Sequence, residues 1–273
     1  EEQKQVKEIM LFLHSHGIST SLAIKIYKHY GAQSLAVLQQ DPYRLARDIY
    51  GIGFKTADRI AQSLGLPFDH PSRIEAGLVY VLNQSSDAGH VYLPRQELLA
   101  EAGKLLDVDA EQLPPALERL DQARVVKQEG IPSAAEPVTA VYLAPLWFTE
   151  IGVAERLQKL IHALPTRMSD TPPAFVRLDT NLSPEQQAAI RAALAHPVSV
   201  LTGGPGTGKT TAIRALITAL EEAGKTYALA SPTGRAAKRL SQAAARNAST
   251  IHRLLGFSPG EGFKYNQENP LPF

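Results

Sequence analysis

The 273-residue sequence contains no cysteine and no long apolar run. The absence of cysteine excludes disulfide bonds, thiol nucleophiles and thiolate zinc sites, and a reducing, cytoplasmic location is expected. No apolar run approaches the roughly 18 residues that a membrane-spanning helix needs, and residues 1–4 do not begin a signal peptide. The eight histidines lack the H-x-x-x-H and H-E-x-x-H spacings of helical metal sites. With 44% hydrophobic and 20% charged residues, the composition is that of a globular protein.

The formal net charge of +1 hides an uneven distribution of charge along the chain. Residues 72–165 hold eight basic and thirteen acidic residues, whereas residues 166–273 hold twelve basic and seven acidic ones. The segment 223–260 contains no acid, and its basic residues are Lys225, Arg235, Lys238, Arg239, Arg246 and Arg253. This asymmetry indicates contact between the basic part and a polyanion, and a solvated helix face is the equally weighted alternative.

Residues 1–71 contain an internal repeat with a period of 34 residues. Gly17-Ile18 recurs as Gly51-Ile52, and the other matched pairs are Ala23 and Ala57, Ile26 and Ile60, and Gly31 and Gly65. Each copy is typical of a helix, a short glycine-containing turn and a second helix that ends at a glycine. Two copies are too few for a solenoid, so the repeat predicts a tandem pair packed into one all-α domain.

The pattern changes in residues 72–165, where three helices and three short strands are predicted. The expected helices are 73–85, 95–106 and 110–122, and the expected strands are 89–93, 125–128 and 140–143. This order predicts an α+β winged-helix-like domain, and its acidic balance favours a structural or docking role over strong DNA binding. Four prolines between Pro165 and Pro184 then predict a linker over residues 166–181.

Residues 182–273 are predicted to begin a P-loop α/β domain. Apolar strands are expected at 198–201 and 227–230, separated by a glycine-rich turn and a helix. The turn, Gly203-Gly204-Pro205-Gly206-Thr207-Gly208-Lys209-Thr210, matches G-x-x-x-x-G-K-[ST] at every position. Its glycines let successive N–H groups point at phosphate oxygens. Lys209 can reach the β- and γ-phosphates of a nucleotide, and the Thr210 hydroxyl can ligate Mg²⁺.

Two further motifs flank this turn. Upstream, Ser183 and Gln186 are typical of a capping box at a helix start, and a contact between Gln186 and adenine is the alternative interpretation. Downstream, residues 233–235 open a helix whose N-terminal amides and arginine can hold a phosphate, although an ordinary solvated helix start also fits. Arg235 and Arg239 are four residues apart and therefore share one face of that helix.

Several short segments, taken in their order along the chain, resemble a known family. They are Leu-Ser-Pro-Glu-Gln (182–186), Gly-Gly-Pro-Gly-Thr-Gly-Lys-Thr-Thr (203–211), Ser-Pro-Thr-Gly-Arg-Ala-Ala (231–237) and Thr-Ile-His-Arg-Leu-Leu (250–255). Together they resemble superfamily 1 DNA helicases of the RecD/TraA type. Asp-Pro-Tyr-Arg-Leu (41–45), Gly-Ile-Gly-Phe-Lys-Thr-Ala-Asp-Arg-Ile-Ala (51–61) and Gly-His-Val-Tyr-Leu-Pro (89–94) resemble the long-form RecD-like branch of that family.

This resemblance implies a motor that moves 5′ to 3′ on single-stranded DNA, uses ATP and Mg²⁺, and acts in DNA recombination or repair. By matching motif, Gln186 would read adenine, Lys209 and Thr210 would contact phosphate and Mg²⁺ in catalysis, and the whole of Gly203–Thr211 would bind nucleotide. The residues that would contact DNA, as a single strand or a junction, are Thr233, Gly234, Arg235, Thr250, His252, Gly51, Gly53 and Lys55. The last three belong to the second of two helix-hairpin-helix units, for which helix packing is the alternative role. Packing is favoured for the first unit, where Ser19 replaces the second glycine.

Some parts of such a motor are not found in this sequence. The family needs an apolar strand ending in Asp-Glu, an arginine finger and a second RecA-like domain. The acids after Thr211 are Glu221, Glu222, Glu261 and Glu268, none of which follows an apolar strand, and the first two are interpreted as a solvated helix end. We therefore expect an N-terminal portion of a longer motor, which binds nucleotide weakly without turning it over.

Two other functions fit part of the sequence. A nucleotide-responsive DNA-binding or docking module would use the hairpins and the phosphate loop without unwinding DNA. A base-excision glycosylase also uses helix-hairpin-helix units and would need a catalytic aspartate near Asp69. The phosphate loop has no place in that chemistry, and Asp69, between Pro67 and Pro71, is typical of a turn residue.

Overall fold

The structure is a computed structural model that describes residues 2–132, 137–162 and 181–272. Its contacts divide the chain into two compact units, Glu1–Gly152 and Val153–Phe273. The predicted linker lies outside the described residues except for residue 181. Within the described ranges, no helix has both the length and the apolar character needed to cross a membrane.

The first unit is mainly helical and carries one small sheet. Its helices are α1 Glu2–Ser15, α2 Thr20–Tyr30, α3 Ser34–Gln40, α4 Arg44–Asp48, α5 Phe54–Ser63, α6 Pro71–Asp87, α7 Arg95–Leu106 and α8 Leu113–Gln122. Its strands are β1 Tyr92–Pro94, β2 Val126–Ile131 and β3 Val138–Leu143. Helix α9, Ala144–Ile161, contains the boundary between the two units.

The sequence repeat corresponds to two similar helical hairpins, α1–α2 and α4–α5. In each hairpin the turn contains a glycine with positive φ, +72° at Gly17 and +87° at Gly51, where a side chain would be strained. The isoleucine that follows each glycine, Ile18 or Ile52, is buried in the core. The equivalent positions of α2 and α5 are also buried: Ala23, Ile26, Ala57 and Ile60. The predicted tandem pair of hairpins is thus confirmed.

The sheet of the first unit is antiparallel with the strand order β1-β3-β2. The three helices predicted before and between its strands form within about three residues of the expected bounds. Strand β1 begins at Tyr92 instead of the predicted residue 89, because only Tyr92–Pro94 pairs with β3. Pro94, which has no N–H to donate, ends this edge strand.

A buried arginine joins the hairpins to the elements that follow them. Arg73 Nε, on α6, donates to Asp58 Oδ1 on α5 at 2.9 Å, and its Nη1 donates to the carbonyls of Phe68 and Leu106 at 2.7 and 2.8 Å. The Tyr43 hydroxyl donates to the same carboxylate oxygen at 2.7 Å, and burial with this bond raises the pKa of Tyr43. The apolar core is also continuous from α1 to β3, and a domain boundary at residue 71 stays a prediction.

The second unit holds shorter elements around two pairs of strands. Its helices are α10 Pro184–Ala195, α11 Lys209–Glu222, α12 Gly234–Ala244 and α13 Ile251–Leu254. Its strands are β4 Leu229–Ser231, β5 Ala248–Thr250, β6 Phe257–Ser258 and β7 Gly262–Phe263. Strands β4 and β5 are parallel, with α12 as the crossover between them, and β6 and β7 form an antiparallel hairpin.

The predicted strand at 198–201 is wrong. These residues lie outside any strand, and Val200 and Leu201 are 87% and 45% exposed. A strand exists only where a neighbour completes its hydrogen bonds, and β4 pairs with β5, so no described strand lies beside 198–201. The second predicted strand forms over a shorter length, at Leu229–Ser231 instead of 227–230.

The interpretation of Glu221 as part of a solvated helix end is also wrong. Arg246 donates to both of its carboxylate oxygens at 2.8 Å, and the Tyr227 hydroxyl donates to one of them at 2.6 Å. The bonds from Arg246 and then Tyr227 lower the pKa of this carboxyl to about 2. The end of α11 is therefore tied to the residues that precede β4 and follow α12.

Candidate functional site

The predicted phosphate-binding loop lies between the extended segment before residue 203 and the start of α11. Gly206 and Gly208 have φ of +77° and +78°, values that a residue with a Cβ rarely adopts. A Cβ on Gly203 would come within 2.8 Å of Thr207 Oγ1, so the loop also excludes a side chain there. Gly208 is the N-cap of α11 and has no side chain to occupy the first amides of the helix. These amides are available to an anion.

Lys209 folds back over this loop. Its ammonium group donates to the carbonyls of Gly203 and Gly204, both at 2.6 Å. Thr207 Oγ1 donates to the Gly204 carbonyl at 3.0 Å, which closes the turn. The ammonium therefore lies where it adds positive charge to the loop amides.

The hydroxyl groups of Thr210 and Thr211 are exposed in the first turn of α11. Neither makes a hydrogen bond to another residue of the described part of the chain. The same part contains no cluster of three or more histidine or acidic residues that could hold a metal ion. Thr210 is therefore a suitable single protein ligand for Mg²⁺, which is usually held by few protein groups together with phosphate oxygens and water. The glycine loop, the lysine and this hydroxyl fit a nucleotide triphosphate with its metal ion.

Gln186 lies beside the same loop and completes the predicted capping box. Its Oε1 accepts from the Ser183 amide at 3.0 Å, and its own amide donates to Ser183 Oγ at 3.3 Å. Its Nε2 donates to the Gly208 carbonyl at 3.4 Å. The capping box is confirmed, and the structure brings Gln186 to the loop, 22 residues further along the chain.

The two segments predicted to contact DNA in this unit are brought side by side by β4 and β5. Ser231 at the end of β4 pairs with Thr250 at the end of β5, so the helices that follow both strands begin at one edge of the sheet. Thr233 Oγ1 accepts from the Ala236 amide at 3.3 Å at the start of α12. Thr250 Oγ1 accepts from the Arg253 amide at 3.2 Å at the start of α13. Each hydroxyl retains its hydrogen to donate to a phosphate oxygen.

The exposed face of α12 is basic. Arg235, Lys238 and Arg239 project from this face into solvent, and none of them forms an ion pair within the described ranges. Arg246 differs, because Glu221 neutralises it. The acid-free segment therefore contributes a compact basic face on α12 instead of six equivalent cations.

His252 belongs to an aromatic cluster that the sequence analysis missed. Its ring lies 5.4 Å from that of Phe257 and 5.6 Å from that of Phe263, on the hairpin β6–β7. The two phenylalanines are 5.0 Å apart and both are exposed. Pairing of Phe257 with Phe263 across the hairpin produces this arrangement, and the glycines at 260 and 262 were its only sequence signal.

The second hairpin of the first unit carries the remaining predicted DNA contacts. Gly53 is the N-cap of α5 without a side-chain cap, and Lys55 is exposed in the first turn. The sequence analysis missed Lys25, whose Nζ would be 3.4 Å from a Cβ on Gly51. Lys25 belongs to the first repeat and reaches the second hairpin only through the packing of the two, so no local sequence pattern could have identified it.

Comparison with known proteins identifies the relatives of this chain. Residues 2–92 match the family described as the ATP-dependent RecD2 DNA helicase HHH domain, and residues 186–273 match an AAA domain. The ATP-dependent RecD2 DNA helicase of Deinococcus radiodurans is 33% identical over 285 aligned residues, which cover 100% of this chain and 39% of that protein. The chain is RecD-like over its whole length.

Two further RecD-like relatives match about half of the chain. The RecBCD enzyme subunit RecD of Mycobacterium tuberculosis is 38% identical over 155 residues, which are 48% of this chain and 26% of that protein. The subunit of the same name from Mycolicibacterium smegmatis is 37% identical over 157 residues, 48% of this chain and 28% of that protein. The chain thus spans two fifths or less of the length of these relatives. The resemblance to the N-terminal portion of RecD-like helicases, predicted from the motifs, is confirmed.

Proposed function

We propose that this chain is the nucleotide- and DNA-binding portion of an ATP-dependent helicase that moves 5′ to 3′ on single-stranded DNA in recombination or repair. The observation that carries the proposal is the lysine-bearing glycine loop at the start of α11, together with two helix starts that converge at one sheet edge in the same unit. The RecD-like relatives support the assignment through the printed activity of the Deinococcus protein.

In the proposed nucleotide site, the amides of the loop and the Lys209 ammonium hold the phosphates. Lys209 donates two hydrogen bonds to loop carbonyls, and we infer that it turns to the phosphate oxygens when nucleotide binds. Thr210 is the proposed ligand of Mg²⁺, which supplies charge neutralisation to the phosphates when bound. Hydrolysis also needs a carboxylate near the metal ion and an arginine finger, and we infer that residues 1–273 bind nucleotide without turning it over.

In the proposed DNA site, Thr233, Gly234 and Arg235 hold the phosphate backbone from the start of α12, with Arg239 on the same face. Thr250 and His252 face the same edge from the second motif. Amides, hydroxyls and arginines at phosphates bind without reading base edges, which suits a motor that moves along any sequence.

We also propose that residues 72–143 form a winged-helix domain with a bracing or docking role. The order of its helices and strands, the antiparallel sheet β1-β3-β2 and the acidic balance of the segment support this role. The second hairpin, with Gly51, Gly53, Lys55 and Lys25, is the proposed phosphate contact of the first unit at DNA junctions. A cytoplasmic location stays a prediction.

Two matched sets of variants test the nucleotide and DNA sites separately. Lys209→Ala should weaken Mg·ATP binding by about tenfold or more in titration calorimetry, because bonds from a charged donor are worth roughly 1.5–3 kcal/mol. It should leave the affinity for single-stranded DNA unchanged. The double variant Arg235→Ala/Arg239→Ala should do the reverse.

A salt series gives the DNA measurement a second readout. Each lost phosphate contact should reduce the slope of log affinity against log salt by about 0.7 for a single strand. Equal ATP affinities of wild type and Lys209→Ala would contradict the proposed nucleotide site. Steady-state hydrolysis stimulated by single-stranded DNA and abolished by Lys209→Ala would contradict the absence of turnover.

A further inference from the structure

Gln186 touches the phosphate loop through a bond that leads to a different role from the reading of adenine. We infer that Gln186 is a positioning residue that holds the loop through the Gly208 carbonyl, and that its removal weakens the binding of the phosphates themselves. This inference rests on the proposed nucleotide site and specifies how that site is kept in shape.

Both polar atoms of the Gln186 amide are used by the main chain. Oε1 accepts from the Ser183 amide at 3.0 Å, and Nε2 donates to the Gly208 carbonyl at 3.4 Å. Turning the amide over would place its oxygen against the Gly208 carbonyl and its nitrogen against the Ser183 amide. Both of these contacts are repulsive, so the two partners determine the orientation of the amide.

The Gly208 carbonyl is a point at which the loop and the helix meet. It also accepts the bond from the Ala212 amide at 3.0 Å, the first bond of the α11 ladder. Gly208 has φ of +78° and directly precedes Lys209, so a rotation of its peptide group would redirect the lysine and the first amides of α11. A Cβ on Gly208 would collide with Gln186 Nε2, which indicates how closely the side chain approaches the loop.

The helix that carries Gln186 is itself anchored to α11. Leu182 and Ile190 at α10 pack with Ala212 in a small buried cluster. The side chain of Gln186 therefore extends from a supported helix start to the loop, which is the arrangement that a positioning residue requires. Reading the edge of adenine would need a free amide oxygen and nitrogen, and both are already bonded at the main chain.

The test compares two ligands that share phosphates and differ in the base. Mg·ATP and Mg·tripolyphosphate compete with a fluorescent ATP analogue for the wild type, Gln186→Met and the matched control Gln187→Met. Methionine keeps the length of the side chain and removes its hydrogen bonds. Gln187 Nε2 donates to the Leu182 carbonyl at 3.1 Å, and none of its hydrogen bonds involves a residue of the phosphate loop.

We expect Gln186→Met to weaken both ligands by the same factor, about threefold to tenfold, since one to two hydrogen bonds are lost. Gln187→Met should leave both affinities unchanged. Gln186→Glu keeps an acceptor for Ser183 but not the donor to Gly208, so it should weaken both ligands at least as much as methionine does. Thermal unfolding measured on the same samples separates these losses from a loss of folded protein.

Three outcomes would overturn the inference. A loss confined to ATP, with tripolyphosphate unaffected, would make Gln186 a reader of the base. Equal losses in Gln187→Met would assign the effect to the helix as a whole. Unchanged affinities in Gln186→Glu would mean that the bond to Gly208 has no role. A wild-type chain that binds neither ligand would instead overturn the proposed nucleotide site, and the inference with it.

Discussion

Replacing Arg73 with methionine should destabilise the first unit by about 3–5 kcal/mol, because it removes one partner of a buried ion pair. The Arg73 side chain is 7% exposed and that of Asp58 is 16% exposed, so water can compensate little of the loss. The variant also leaves the carbonyls of Phe68 and Leu106 without the donor that now reaches them at 2.7 and 2.8 Å.

The structure also indicates which end of that range to expect. Asp58 would keep the bond from the Tyr43 hydroxyl at 2.7 Å and the one from Gln62 Nε2 at 3.2 Å. Methionine would refill part of the apolar volume that the arginine stem occupies. We therefore expect a loss of about 3 kcal/mol, which lowers the midpoint temperature by roughly 10 °C in a unit of this size.

An exposed ion pair in the same unit provides the matched control. Arg119 Nε lies 2.6 Å from Glu75 Oε1, but the two side chains are 46% and 24% exposed, so Arg119→Met should cost at most about 1 kcal/mol. Urea unfolding followed by tryptophan fluorescence reports this unit, since Trp147 is the single tryptophan and lies within it. Equal losses for Arg73→Met and Arg119→Met, or a loss below about 1 kcal/mol for Arg73→Met, would refute this account of the buried network.

Two further predictions concern stability. The stability that Glu221 adds over a Glu221→Gln variant should be complete above about pH 4.5 and should be lost as the pH falls to about 2, because bonds led by that from Arg246 lower the pKa of this carboxyl; acid titration of unfolding measures the difference, and one that persists at pH 2 would contradict it. Gly77→Ala should destabilise by about 1 kcal/mol, since a Cβ would lie 2.6 Å from buried Leu106 Cδ2 and overpacking outweighs the helix propensity gained. Gly103→Ala, whose new contact is an easier 3.4 Å, should be neutral or stabilising by up to about 1 kcal/mol in the same urea assay.

The parts that could be predicted are those whose chemistry is local. The phosphate loop needs glycines at fixed positions before a lysine, and its left-handed Gly206 and Gly208 follow from that requirement. The capping box of Ser183 and Gln186 spans one turn. The repeat of hairpins was visible because each copy uses the same glycine and isoleucine to make the same turn.

The parts that failed or were missed depend on partners far along the chain. The apolar run at 198–201 has the composition of a strand, but pairing decides strand formation, and a sequence pattern cannot supply the neighbour. The Glu221 carboxylate was interpreted from its place at a helix end, whereas Arg246, 25 residues away, determines its state.

The sequence by itself determined the chemistry of this protein: a phosphate loop, a magnesium ligand and a basic segment, since each is set by residues close together along the chain. Only the tertiary structure decided which of these residues meet. The register of β4 with β5 brings Thr233 and Thr250 to one edge, and helix packing brings Gln186 to Gly208 and Lys25 to Gly51. Such contacts arise because burying apolar faces fixes the elements relative to one another, and short-range patterns carry no information about that arrangement.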